Sequence, residues 1–146
     1  MRKAEKTTER VMHMIQEFSD YGKMYKSLTL EEMQEIHGEM LQEIGSDPTS
    51  LELYGDLYEV SLRYAVKRAE WSRMSREEKM DADQGRTMTH DSVITHFNML
   101  ARWLRKQGQP ANWRDELGDV EKDPALRKRI GDFACYMVFV SALLER

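Results

Sequence analysis

The side chains in this sequence with chemistry to offer fall into three groups. His90 and Asp91 are adjacent, with His37 upstream and Asp119, Asp123 and Asp132 downstream; imidazole and carboxylate together suit a hydrolytic divalent metal. Glu31-Glu32-x-x-Glu35 and Glu116-x-x-Asp119 each put carboxylates about one helical turn apart, a spacing that can hold Mg²⁺ while substrate phosphates complete its shell. All four charged side chains from 92 to 114 are basic, Arg102, Arg105, Lys106 and Arg114, with Trp103 and Trp113 among them. Such a run suits an acidic partner or a single nucleic-acid strand.

Two of these groups resemble known metal sites. The His90-Asp91 pair is similar to the dyad of the metal-dependent phosphohydrolases named for it, and the two acidic motifs resemble the magnesium pattern of the all-α nucleotide pyrophosphohydrolases. Either resemblance implies an all-helical, metal-dependent hydrolase of nucleotides or phosphate esters. Two departures stand beside them. Thr87-Met88-Thr89 precedes the dyad where those enzymes have an apolar run, and 80 residues separate Glu35 from Glu116 where the second family keeps its motifs close.

Other signatures are missing. His90 and His96 stand six apart and face different sides of a helix. The sequence contains no Glu-x-x-His, no Gly-x-x-x-x-Gly-Lys-Ser/Thr loop, no Gly-x-Ser-x-Gly elbow and no Cys-x-x-Cys. No catalytic residue, metal ligand or cofactor is therefore assigned.

The elements that must position these groups are helices. Val11, Ile15, Phe18, Gly22 and Tyr25 mark one over about residues 5–26. Thr29-Leu30-Glu31-Glu32 is a capping box opening a second, whose face is Met33, Ile36, Met40, Leu41 and Ile44, with Gly45 as its stop. Asp47-Pro48 starts a third, with Leu51, Tyr54, Tyr58, Leu62, Ala65 and Ala69 as its face. Ser75-Arg76-Glu77-Glu78 is another capping box, read as one or two turns followed by a mobile polar loop over 81–87. A fifth helix is expected over 89–107, and Asn112 is expected to cap a short turn over 113–117. The last helix carries Leu126, Ile130, Phe133, Met137, Val140 and Leu144 at spacings of 4, 3, 4, 3 and 4. The fold expected is an all-α, single-domain bundle (residues 1–146) of about five main helices with one or two short ones.

On that layout the best binding candidates are Arg86, His90 and Asp91 at one helix start, and Trp113 and Arg114 at another. A helix start beside arginine and histidine can hold an anion or a partner's carboxylate. The helix between them is about 28 Å long, so two separate half-sites are expected.

Composition narrows the class. Residues 1–59 hold 6 basic and 13 acidic side chains, a balance of −7, whereas residues 60–146 hold 16 and 13, a balance of +3. A pI near 5.6 disfavours a dedicated nucleic-acid binder. The most apolar stretch, residues 133–144, is 12 long and contains Ser141, short of the roughly 20 residues a bilayer span needs. Cys135 lies alone in that stretch and reads as a core thiol in the cytoplasm. Eleven methionines and the split in charge favour a protein-binding or regulatory module without catalysis, with a protein partner. The acidic 27–62 face and the basic 102–129 region compete as its surface. The apolar girth of the last helix adds an expectation of self-association.

Overall fold

The computed structural model describes residues 28–119, 122–123 and 126–144, with the side chains of residues 72, 83, 86 and 142–144 outside that description. The helix expected over 5–26, with Met12, Met14 and Met24, lies outside the described residues. Those described form an all-α bundle with no strand, in the order α1 (Leu30–Ile44), α2 (Pro48–Ser72), α3 (Arg76–Lys106), α4 (Asn112–Leu117) and α5 (Leu126–Leu144).

Three helix starts follow directly from local hydrogen bonding. At α1 the Glu32 N–H donates to Thr29 Oγ1 at 3.1 Å and the Thr29 N–H to Glu32 Oε1 at 3.2 Å. Ser75 and Glu78 repeat this reciprocal pair at α3. Asp47 accepts from the N–H of Ser50 at 2.9 Å at α2, with Pro48 in the first turn.

The Ser75 cap starts a much longer helix than expected. The polar stretch 81–87 is not a loop: α3 runs unbroken through it for 31 residues. Residues 76–92 carry few apolar side chains, which mimics a loop composition, yet Glu, Lys, Met, Ala, Gln and Arg are all good helix formers. A single interior glycine such as Gly85 costs only about 1 kcal/mol.

α2 is rotated relative to its apolar pattern. Leu51 and Leu62, placed on its buried face by spacing, are 48% and 41% exposed, and the buried positions are Ser50, Leu57, Ser61 and Tyr64. Ser50 and Arg68 turn inward where partners await them. Ser50 receives the indole N–H of Trp103 at 3.0 Å, and half-buried Arg68 pairs with the buried carboxylate of Asp132, which Lys128 also reaches at 3.4 Å. Charges can be buried only when paired in this way.

These contacts set the packing directions. Ser50 meets Trp103, and the Tyr64 ring meets that of His90, so α2 and α3 are antiparallel and packed along much of their lengths. Arg68 meets Asp132 and Tyr54 meets Ser141, so α5 is antiparallel to α2. α5 is the central element, with every residue from Ile130 to Val138 buried. Among the described residues its apolar girth is covered from Ile130 to Val138, while Phe139 and Val140 are half-buried.

α4 is held differently from its expected start. Ala111, not Asn112, stands at the cap position, with φ +48° and no side-chain cap. That left-handed geometry costs a non-glycine residue about 1–2 kcal/mol. It is offset by two ties: the Ala111 N–H donates to Glu43 Oε2 at 3.2 Å, and its carbonyl accepts from Arg105 Nη2 at 3.2 Å.

Candidate functional site

The continuity of α3 changes the setting of the first half-site. His90 and Asp91 lie 14 and 15 residues inside the helix, so the free N–H groups of a helix start are not available to them. His90 is 4% exposed, with its ring edge-on to Tyr64 at 5.1 Å. Its Nε2 donates to the backbone carbonyl of Arg127 at 2.7 Å, which fixes the proton on that nitrogen. The Asp91 carboxylate accepts from Arg127 Nη2 at 2.7 Å. Both members of the dyad therefore fasten α5 to α3. Arg86 belongs to the same helix, and its side chain lies outside the described residues.

The second half-site divides in two. Trp113 is fully buried against Phe97, and its indole N–H donates to Glu43 Oε1 at 2.9 Å, so it anchors α4 to α1. Arg114 faces α3, with Nε donating to Asn98 Oδ1 at 2.6 Å and Nη1 to the Gly118 carbonyl at 2.9 Å. Asn98 is seven residues beyond Asp91, so the two half-sites stay about 10 Å apart along the helix.

Around Arg114 the structure assembles a surface groove of about 540 Å³, lined by Asn98, Ala101, Arg102, Arg105, Lys106 and Arg114. Asn98, Arg102 and Lys106 recur every fourth residue and form one stripe of α3. Arg105 is held by the carbonyls of Pro110 and Ala111, both at 3.2 Å, and by Asp115 at 3.3 Å. Arg102 and Lys106 are exposed, and among the described residues neither has an ion-pair partner. The half-buried Arg114 guanidinium is held below its ordinary range by burial and by the charge of Arg105, which Asp119 and Asp115 partly counter. Sequence spacing shows this basic run. It missed Asn98, which the period of four counted back from Arg102 would have found.

Glu116 of the second acidic motif comes near Glu35 of the first. α4 packs on α1, and the Glu116 carboxyl is pushed up by burial and by the charges of Glu39 and Glu35, with Arg129 opposing. Arg129 reaches both sides of this cluster, donating to the Glu116 carbonyl at 2.6 Å and pairing with Glu32 at 3.8 Å. Among the described residues, no three histidine, cysteine or acidic side chains are disposed to hold a metal ion. His37 is apart from them, buried against Tyr54, Phe133 and Tyr136, with Nε2 sharing a hydrogen bond with Tyr54 Oη at 3.0 Å.

A second, more apolar groove of about 640 Å³ runs between α2 and α3. Val60, Leu62, Val66 and Met88 line it, with Arg63 and Lys67 at its rim. No helix among the described residues is long and apolar enough to cross a membrane. In comparisons with known proteins, the chain matches no family model, no curated protein and no solved structure.

Proposed function

We propose that this protein is a binding module without catalysis, and that its partner is another protein presenting an acidic segment. The observation that carries this reading is the groove of Arg102, Arg105, Lys106 and Arg114, where two cations are neutralised by nothing in the described chain. Its walls are fixed on the helices of the bundle, so a partner meets guanidinium groups already oriented. The remainder of the protein carries a net negative charge, which repels a long polyanion such as nucleic acid while leaving a short acidic segment free to dock. A cytoplasmic location goes with this reading, since a free thiol such as Cys135 stays reduced there.

Fluorescence anisotropy with a labelled, glutamate-rich peptide at low ionic strength tests it. Saturable binding is expected, falling with added salt and weakened about tenfold or more in Arg102→Glu/Lys106→Glu. Both substituted side chains are exposed, so the variant should fold normally. A peptide that fails to bind, or binds the charge-reversed variant equally, would defeat the reading.

A second reading is metal-dependent hydrolysis of a nucleotide or phosphate ester, for which the carboxylates of Glu116, Glu35 and Glu39 would have to close on an ion from where α4 packs on α1. On that reading, Mg²⁺ or Mn²⁺ bound to the folded protein raises its melting temperature. An unmoved melting temperature at millimolar metal would dismiss it.

A further inference from the structure

We infer that the cationic groove is a receptor for a phosphate monoester borne on a segment of a partner protein. This rests on reading the groove as a docking face and goes further by naming the group that fills it. Charge gives the first argument. Four cations line the groove, and two carboxylates act on them: Asp115 pairs with Arg105 at 3.3 Å, and Asp119 bears on Arg114. Two positive charges are left over. A single side-chain carboxylate supplies one negative charge, whereas a phosphate monoester supplies about 1.5 to 2 at neutral pH on one compact group.

The donors give the second argument. Arg105 spends Nε and Nη2 on protein partners and keeps Nη1; Arg114 spends Nε and Nη1 on Asn98 and Gly118 and keeps Nη2. Asn98 accepts with Oδ1 and keeps its amide N–H groups, and Arg102 and Lys106 keep all of theirs. Donors from five side chains thus surround one opening, and two of the guanidiniums are already held in place. Three terminal phosphate oxygens use such a set far better than two carboxylate oxygens.

Extent gives the third. From Asn98 to Lys106 the stripe is about 12 Å long, at about 1.5 Å of rise per residue. That suits one doubly charged group better than a chain of singly charged phosphodiesters, which needs a longer basic track.

Calorimetric titration with three short acidic peptides, identical except for serine, phosphoserine or glutamate at the centre, decides the matter, alongside a single-stranded oligonucleotide. The phosphoserine peptide is expected to bind about tenfold tighter than the glutamate peptide. Inorganic phosphate should compete with it, and Arg102→Ala and Lys106→Ala should each weaken it while leaving the melting temperature unchanged. If the glutamate peptide binds as well as the phosphoserine peptide, the phosphate inference is overturned while the acidic-segment reading survives. If no peptide binds, both fall. An oligonucleotide that binds tighter than the phosphoserine peptide overturns the inference in favour of a phosphodiester ligand.

Discussion

The backbone carbonyl of Arg127 accepts the Nε2 proton of His90 at 2.7 Å, while the guanidinium of the same Arg127 takes the Asp91 carboxylate at 2.7 Å. One residue of α5 thus engages both members of the pair whose adjacency suggested a metal site. We expect His90→Ala to lower stability by about 1–3 kcal/mol, since it removes the part-buried hydrogen bond to the Arg127 carbonyl and a buried ring packed on Tyr64. Asp91→Asn, at an exposed ion pair, should cost about 1 kcal/mol or less. Denaturant melts check both, and peptide binding at the cationic groove should be unchanged in each. A His90→Ala protein of full stability would show that the hydrogen bond is not a fastening.

Gly131 sits where α5 meets Tyr64. A Cβ built there would stand 2.5 Å from the Tyr64 hydroxyl oxygen and 3.1 Å from Cζ. The ring is buried and has little room to yield. Gly131→Ala therefore sets a helix-propensity gain of about 1 kcal/mol against overpacking of about 1–3 kcal/mol. At this distance overpacking should win, and the melting temperature should fall. Adding Tyr64→Phe removes the nearest atom and should recover part of the loss.

Burial among Tyr54, Phe133 and Tyr136 holds the His37 imidazole below its ordinary value. Protonation is then easier in the unfolded chain than in the fold. The stability from this site is complete above about pH 6.5 and is lost as pH falls from there through the lower folded value. The melting temperature of the natural protein should drop more between about pH 7.5 and about pH 5 than that of His37→Gln, which keeps a polar group near Tyr54. Equal drops would mean His37 does not titrate against the fold.

Burial likewise pushes the Cys135 thiol up, outweighing the Arg68 guanidinium 3.8 Å from its sulfur. Reactivity follows the thiolate and its access, and both are suppressed here. Iodoacetamide should leave Cys135 unmodified for minutes in the native protein and label it promptly in denaturant. Prompt native labelling would mean that α5 opens readily from the bundle.

The caps at Thr29, Asp47 and Ser75, the stop at Gly45 and the Ile130–Phe133–Met137 stripe of α5 were all determined by the sequence itself. Cap hydrogen bonds close within three or four residues, and a helix apolar on nearly every side belongs in the core, so both are written locally. Tertiary structure decided the rest. α2 carries apolar residues on more than one side, and its rotation depended on Trp103 and Asp132 meeting Ser50 and Arg68 from far along the chain. The polar half of α3 has almost no stripe to read, and its continuity rests on helix propensity and on packing against α2. Arg127 reaching His90 and Asp91, Glu116 arriving beside Glu35 and Glu39, and Arg114 folding back to Asn98 all join residues that are distant or unrelated in sequence. Such encounters depend on where separate helices cross, and no local period encodes a crossing.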